Sequence, residues 1–483
     1  MKLKEILKGI DVLKSFGDLS LEVKDIAYDS RKIKGGEVFV AIKGTKLDGH
    51  SFIDDAIRKG ASAIVVEEIP EDIKVTTVQV KDTREALSKM AKNLFRPHFE
   101  KMKIIGITGT NGKTTTSYLL ESVIRQTGEE TALIGTIKYR FSGKEIPATV
   151  TTPESVDLMR LLKEISEKGI RYVVMEVTSH SLSQGRVRDC PFEVAVFTNI
   201  TRDHLDYHGS MENYFKEKQK LFLEYNPEIS VINSDDPMGR KIAEKLKRCI
   251  TYGIDTGIVR AKEIKIGWDG IRAKVVTPKG LLNISSELIG RFNLYNILAC
   301  SAAAYALGIE NEKIEEGIRR LRSVPGRMEI IKKDPAVIID YAHTPDALKK
   351  VIETLREISG KRIITVFGCG GERDKGKRPV MGYIAAKMSD VVIVTSDNPR
   401  REDPLEIIKQ IEEGIKKTGR DYIVEVDRRK AIEKAILIAE KDDIVLIAGK
   451  GHEQYQIIGE ERIPFSDKKI AEKVLYAKSK GSL

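Results

Sequence analysis

Residues 103–116 read KIIGITGTNGKTTT, an apolar run that passes through a glycine-bearing turn into a helical pattern continuing as LLESVIR. Gly109 and Gly112 let backbone N–H groups face an anion, Lys113 adds a point positive charge, and the hydroxyl of Thr114 or Thr115 is placed to bind Mg²⁺ beside phosphates. The spacing is the compact G-x-x-G-K-T form: Ile107 stands where the longer pattern has its first glycine, and Gly106 comes one residue too early. Strand, loop and helix in that order make Gly109, Thr110, Asn111, Gly112, Lys113, Thr114 and Thr115 a nucleotide-phosphate loop, with a plain glycine turn as the other reading. No N-K-x-D guanine reader follows, so ATP is preferred to GTP.

Working outward, apolar runs at 172–177, 194–199 and 229–233 alternate with helical patterns, which predicts a mostly parallel sheet covered by helices. Residues 258–289 carry less helical signal and read as an attached antiparallel lobe. Upstream, short β-like runs at 37–42 and 63–67 with a helical pattern at 51–59 predict a small α/β domain, closed off where Pro97 interrupts a helix. Downstream of Ser323-Val324-Pro325-Gly326-Arg327 the alternation restarts, with strands expected at 336–339, 363–367, 391–395 and 444–447. That is a second open α/β sheet, and ligands of such sheets bind beyond the carboxyl ends of the strands. The expected fold is therefore α/β in three domains, 1–98, 99–325 and 326–483.

Composition agrees with folded domains rather than a membrane protein or a disordered chain. The 483 residues are 41% hydrophobic and 32% charged, and no 18-residue apolar run spans a bilayer. The net charge of +10 is spread among interleaved acids and bases, so no nucleic-acid partner is implied, although a small anionic substrate would benefit. Cys190, Cys249, Cys300 and Cys369 have no C-x-x-C spacing and read as buried thiols of a reducing compartment. The charged N-terminal stretch has no leader-like apolar core, which makes the cytoplasm the expected location.

Two further segments carry chemistry. Glu176 ends the run 172–176, where a carboxylate can hold Mg²⁺ or its waters; a solvated acid is the alternative. Residues 198–208, TNITRDHLDYH, crowd His204, His208, Asp203 and Asp206 after another apolar run. A transition-metal pair at His204 and His208 is conceivable, but phosphate chemistry suits Mg²⁺ better. His180 beside Ser179 has no third member to make a triad, and Arg202 with Asp203 reads equally well as an ion pair.

With these in hand, GTNGKTTT, TTPES, EVTSHSLSQGRV, TNITRDHLDYHG, YFKEKQKLF, GRFNLYN, PGRME, DYAHTPDAL, GGERDKGKR, DNPR and GKGHE occur in one order along the whole chain. In this the chain closely resembles the bacterial Mur ligases, and within them those that add the third residue to the cell-wall precursor UDP-N-acetylmuramoyl-L-alanyl-D-glutamate. The resemblance implies a UDP-recognising first domain, a central ATPase domain and a Rossmann-like third domain that presents the incoming amino acid. It implies Ser30 and the loop near His50 at the UDP end, and Thr151, Thr152, Thr178, Gln184 and Arg186 on the sugar-peptide. Thr178 replaces a Ser common at that position, and either residue offers a hydroxyl.

The resemblance also implies that Lys218 is carboxylated by CO₂ and, with Thr114, Glu176 and His204, serves Mg²⁺; from the residues alone it is an ordinary surface-helix lysine. Asn293, Asn296, Arg327 and Asp340 are implied at the other end of the nucleotide, although a helix cap is a fair rival for Asn293. Asp397-Asn398-Pro399-Arg400, taken blind, is a capped turn. In the resembling enzymes this tetrad marks the choice of meso-2,6-diaminopimelate over L-lysine, since an arginine can clamp the distal carboxylate that lysine lacks. Arg373, Gly449 and Glu453 match further contacts to that amino acid.

The implied reaction is an ATP-dependent amide ligation through an acyl phosphate, by a monomer without membrane insertion, with Lys113, Glu176, His204 and Lys218 at its catalytic centre. A lysine-adding relative is the nearest rival. Folylpolyglutamate synthase explains neither the first domain nor D-N-P-R, and a nucleotide-switched binding protein would form no amide.

Overall fold

Runs such as Ala336–Asp340 and Ile444–Ala448 are apolar and buried at every position, the pattern of strands covered on both faces. In the computed structural model, which describes residues 1–44, 47–71, 74–99 and 101–480, they lie side by side in a six-stranded sheet. Its order is Glu329–Lys333, Ala336–Asp340, Ile444–Ala448, Ile363–Phe367, Val391–Val394, Ile423–Val424. The first pair is antiparallel and the others are parallel. Successive side chains alternate between two cores: Ile338 packs with helices Pro345–Ser359, Lys377–Met388 and Pro404–Lys416, Val337 and Ile339 with Arg428–Ile438 and Asp467–Ser479. At roughly 1.5–3 kcal/mol for each large aliphatic chain buried, this two-sided packing holds the strand ends, and the loops after them, in place.

The chain divides into two compact units. One comprises Met1–Thr108, Glu129–Ala195 and Glu217–Ile229; the other comprises Gly109–Gly128, Val196–Lys216 and Ser230–Leu483, and contains the six-stranded sheet.

In the first unit, a five-stranded sheet runs Val12–Phe16, Thr76–Val80, Ala63–Val66, Val38–Val40, Ile26–Ala27, parallel except for the first pair. Three strands escaped the sequence reading: Val12–Phe16 is mostly exposed, Ile26–Ala27 is two residues long, and Thr76–Val80 mixes polar residues with its two valines. Asp82 starts the helix Thr83–Phe95 by accepting from Arg84 N and Glu85 N, and Pro97 lies in the short turn that ends it. The same unit pairs Tyr172–Glu176 in parallel with Lys103–Thr108 and Thr131–Ile134, with Glu176 level with Ile107.

In the second unit, Ile250–Gly253 pairs in parallel with Ile229–Asn233 and with Val259–Gly267. Val259–Gly267, Gly270–Thr277 and Gly280–Ser286 then run antiparallel, as expected for 258–289. The strand expected at 194–199 is Phe192–Phe197, because Thr198 and Asn199 spend their polar groups on the phosphate loop.

Candidate active site

After the strand Lys103–Thr108 the chain turns through Gly109, with φ +149°, and Gly112, with φ +88°, into the helix Lys113–Arg125. Both positions require glycine. A Cβ on Gly109 would fall 1.9 Å from Thr198 Oγ1, and one on Gly112 would fall 2.3 Å from Asn296 Oδ1. The loop is held from outside: Thr110 N donates to Asn199 O (2.8 Å), Asn111 N to Asn199 Oδ1 (3.0 Å) and Thr198 Oγ1 to Asn111 O (2.6 Å). Lys113 Nζ folds over the loop and donates to Gly109 O (2.8 Å) and Thr110 O (2.9 Å).

Beside the loop opens a cavity of about 440 Å³, bordered by Asn111, Gly112, Thr115, Asn296, Arg327 and Asp340. Six of the residues expected around the nucleotide are thus brought together. Asn293 stands behind the wall: its amide donates to Ile289 O (2.8 Å) and its Oδ1 accepts from Asn296 Nδ2 (2.9 Å), so it orients Asn296. Arg327 Nη2 donates to Thr114 Oγ1 (3.2 Å), and its guanidinium lies 4.5 Å from the centre of the Tyr341 ring. Asp340 accepts from Met328 N and Ala342 N, both at 2.7 Å, and so shapes the turn that carries Arg327. Burial pushes the Asp340 carboxyl up, with Arg327 opposing.

The cradle fits a nucleoside triphosphate. Its glycines leave no room for side chains, and the buried Arg327 Nε has no hydrogen-bond partner among the described residues, a donor suited to phosphate oxygen.

In the first unit the sugar-peptide candidates form one network around Glu176. Glu176 is buried and accepts from Thr136 N (2.9 Å) and Thr136 Oγ1 (3.0 Å), and Gly135 makes room for its carboxylate. Thr151 Oγ1 lies 3.2 Å from Thr136 Oγ1, Thr152 Oγ1 donates to Glu176 O (2.9 Å), and Thr178 N donates to Thr152 Oγ1 (3.3 Å). Arg186 closes the group by donating to Thr152 O (2.9 Å) and Gln184 Oε1 (2.6 Å). Thr178 also caps the helix Ser179–Ser183, a role that needs only a hydroxyl. Ser30 is buried at the start of the short turn Ser30–Lys32. His50 is tied down, its Nδ1 on Asp48 (2.7 Å) and its Nε2 accepting from Glu67 N (3.1 Å).

In the second unit His204 starts the short helix Leu205–His208 at φ +53°, with Nε2 3.3 Å from Asp203 Oδ2. Burial pushes the Asp203 carboxyl up, but His204, His343 and Lys377 outweigh it and hold the group below its usual value. Arg202 pairs with Asp374 (3.6 Å). His208 is buried against the rings of Tyr207 and Tyr214, and among the described residues no group of three or more His, Cys, Asp and Glu is gathered to hold a metal ion.

At the carboxyl ends of the six-stranded sheet the amino-acid candidates converge. Arg400, at φ +53°, donates to Gly371 O (2.7 Å). Asn398 Nδ2 donates to Glu453 Oε2 (2.9 Å), and a Cβ on Gly449 would fall 2.7 Å from Asp397 Oδ2. Pro399 O lies where a Cβ on Gly371 would need to be, at 1.9 Å, so the glycine lets the two loops touch. Arg373 donates to Glu372 O (3.0 Å). Burial, and then the charge of Arg373, push the Arg400 guanidinium below its usual value, with Asp397, Glu453 and Glu372 opposing.

Three family models cover most of the chain: Mur ligase family, catalytic domain, at 22–94; Mur ligase middle domain at 107–304; and Mur ligase, glutamate ligase domain, at 326–451. The chain is 45% identical over 482 residues to UDP-N-acetylmuramoyl-L-alanyl-D-glutamate--2,6-diaminopimelate ligase of Clostridioides difficile, covering 98% of this chain and 99% of that one. The chain belongs to the Mur ligase family.

The enzyme of the same description from Caldanaerobacter subterraneus subsp. tengcongensis is 46% identical over 480 residues, 98% of this chain and 99% of the other. A solved structure of a UDP-N-acetylmuramoyl-L-alanyl-D-glutamate--2,6-diaminopimelate ligase superposes with a TM-score of 0.72 at 32% identity, over 99% of both chains. The MurF ligase of Thermotoga maritima, solved with ADP, shares the fold at 22% identity and a TM-score of 0.63, over 94% of this chain and 99% of that one. The three-domain α/β architecture and the use of ATP and Mg²⁺ are those of the Mur ligases.

Within this Mur ligase two buried lysines depart from the sequence reading. Lys218, expected on the surface, is 1% exposed, because Tyr214, Lys218, Leu221 and Phe222 lie on one buried stripe of the helix Met211–Leu223. Lys450, not singled out from the sequence, is 0% exposed and bonds Asn398 Oδ1 (2.9 Å) and Glu453 Oε2 (2.8 Å). Its only sequence signal is its place between two glycines in GKGHE.

The Mur ligase third sheet also carries a testable acid sensitivity. The buried Arg378 grips Glu402 with two bonds, at 2.9 and 3.0 Å, and also binds Gly370 O, tying the glycine loop to the segment after D-N-P-R. The Arg378 bonds hold the Glu402 carboxyl at about 2, well below its usual range. Native protein therefore binds fewer protons here than unfolded protein, so this stabilisation is complete above an unfolded carboxyl pKa of about 4.3 and fades as pH falls through about 2. Thermal midpoints measured from pH 5 to pH 2 fall less steeply in Glu402→Gln, from a lower start; parallel curves would refute the coupling.

Proposed function

We propose that this chain joins meso-2,6-diaminopimelate to UDP-N-acetylmuramoyl-L-alanyl-D-glutamate in an ATP-dependent amide ligation of peptidoglycan precursor synthesis. The observation that carries the choice of amino acid is the gathering at one sheet end of Arg400, which feels the charges of Arg373 and Glu453, with Asn398 bonded to Glu453. Two guanidiniums beside a carboxylate suit an amino acid with a second carboxylate and a second ammonium, and L-lysine lacks the former. ATP and nucleotide sugars are metabolites of the cytoplasm, to which we assign the reaction. Among the described residues no helix is long and apolar enough to cross a membrane.

We divide the work among residues 1–98 for the UDP end, 99–325 for ATP and the acyl donor, and 326–483 for the amino acid. The glycine loop and Lys113 bind the terminal phosphates, Asn296 and Arg327 flank the nucleotide, and Asp340 orients Arg327. Thr151, Thr152, Thr178, Gln184 and Arg186 orient the peptide, and Ser30 with the His50 loop receives the uridine nucleotide. The side chains of Thr114, Glu176, His204 and an N6-carboxylated Lys218 are of the donor types that would serve Mg²⁺, which would neutralise charge on the phosphoryl oxygens. The D-glutamyl carboxylate attacks the γ-phosphorus, releasing ADP and leaving an acyl phosphate. The diaminopimelate amine then attacks the acyl carbon, phosphate departs, and the amine gives up a proton. Lys113 compensates phosphoryl charge in the first step. Asp397, Asn398, Pro399, Arg400, Arg373, Gly449 and Glu453 hold the amine's parent in the second.

Arg400→Ala tests the amino-acid reading. Losing a charge-assisted pair of about 1.5–3 kcal/mol raises the KM for diaminopimelate by about 10- to 100-fold and leaves that for ATP unchanged. Product assays with diaminopimelate and lysine in competition check it; undiminished preference for diaminopimelate would remove Arg400 from the reader.

A further inference from the structure

Lys450 sits in the loop after the strand Ile444–Ala448, on the floor of the group just assigned to the amino acid. A lysine at 0% exposure carries a desolvation cost of several kcal/mol unless its charge is compensated, and two oxygens compensate it here. Asn398 Oδ1 accepts from Nζ at 2.9 Å and Glu453 Oε2 accepts from it at 2.8 Å. Asn398 Nδ2 closes the triangle by donating to the same Glu453 Oε2 at 2.9 Å. Ile457 N donates to Asn398 Oδ1 (3.0 Å), so the triangle is also anchored to the hairpin Tyr455–Ile458 and Glu461–Pro464.

We infer that Lys450 is a positioning residue for amino-acid recognition: it engages one oxygen of Glu453 and the oxygen of Asn398, so that Glu453 is held with Oε1 available to the substrate ammonium. The inference rests on the amino-acid reading above and deepens it. Three features separate this from a generic buried ion pair. The lysine touches two of the residues assigned to one substrate and none assigned to the other two. It fixes which carboxylate oxygen is already used. It also fixes the side-chain amide of Asn398, with oxygen toward Lys450 and nitrogen toward Glu453. Without the cation, Glu453 loses its orientation, which weakens recognition of the amino acid and leaves binding of ATP and of the nucleotide-peptide intact.

The experiment is steady-state phosphate release by the full chain with each of the three substrates varied in turn, for wild type, Lys450→Met, Glu453→Gln and the double variant. Lys450→Met keeps the length of the side chain and removes the charge. The expected result is a rise of at least tenfold in the KM for diaminopimelate, with the KM values for ATP and UDP-N-acetylmuramoyl-L-alanyl-D-glutamate within twofold of wild type. In the double variant, the combined effect is much smaller than the product of the two single effects, because each substitution breaks the same unit. An unchanged diaminopimelate KM, a parallel rise in all three KM values, or full multiplication of the two effects overturns the inference while leaving the ligase reading intact. Wild-type protein without diaminopimelate-dependent phosphate release overturns both. If Lys450→Met does not fold, Lys450→Gln, which retains an amide donor for one of the two oxygens, takes its place: a selective rise in the diaminopimelate KM supports the inference, and an unchanged or unselective one overturns it.

Discussion

Lys113→Ala abolishes ligation, with diaminopimelate-dependent phosphate release reduced by about 1,000-fold or more, the scale on which preorganised charge stabilisation acts in a transition state. The cause is local. Nζ reaches over the loop to Gly109 O and Thr110 O, so its ammonium already lies against the backbone of the turn that we assign to the terminal phosphates. Alanine removes that charge and leaves the glycine cradle otherwise unchanged. Two hydrogen bonds are lost as well, at about 0.5–1.5 kcal/mol each, so a small drop in thermal midpoint accompanies the catalytic loss. Measuring both in one preparation separates them: folded protein with near-normal turnover would refute the phosphate site.

Lys218→Ala lowers turnover by about 10- to 100-fold, the cost typical of disturbing a metal's supporting shell, and millimolar acetate or formate restores part of it. Truncation leaves a space on the buried stripe of Met211–Leu223 into which a small carboxylate can enter in place of the carbamate that we propose there. Lys218→Met fills that space with an apolar chain of similar length and is not rescued. This difference distinguishes an anionic ligand from a lysine that merely packs. A fully active Lys218→Ala without added carboxylate would take the residue out of the mechanism.

Much of the architecture was legible in one dimension because its elements are of the kind that periodicity reports. Strands such as Ile363–Phe367 are apolar throughout, and helices such as Pro345–Ser359 open on a capping Thr344 followed by proline. Edge strands left no such mark: Glu461–Pro464 is exposed at each position, so nothing in its composition separates it from a loop. The candidate site divides in the same way. The phosphate loop is contiguous, and its glycines, lysine and threonines are each needed for a local backbone shape or charge. Asn293 and Asn296 are equally visible as a pair, yet only Asn296 borders the cavity, a distinction set by which face of the helix Arg291–Ala306 each lies on, since Arg291, Phe292 and Tyr295 border it too.

The amino-acid sequence by itself determined the phosphate loop, the strand and helix order and the identity of the residues at the sheet ends, since these depend on neighbours within a few positions along the chain. Tertiary structure alone decided that Lys218 and Lys450 are buried, that Arg327 reaches Thr114, and that Glu453 is shared between Asn398 and Lys450. Most of those properties arise from segments far apart in the chain meeting in a medium where water no longer satisfies a charge. Of the two partners of Lys450, Glu453 stands in the same loop, whereas Asn398 arrives from another strand end through the packing of the sheet.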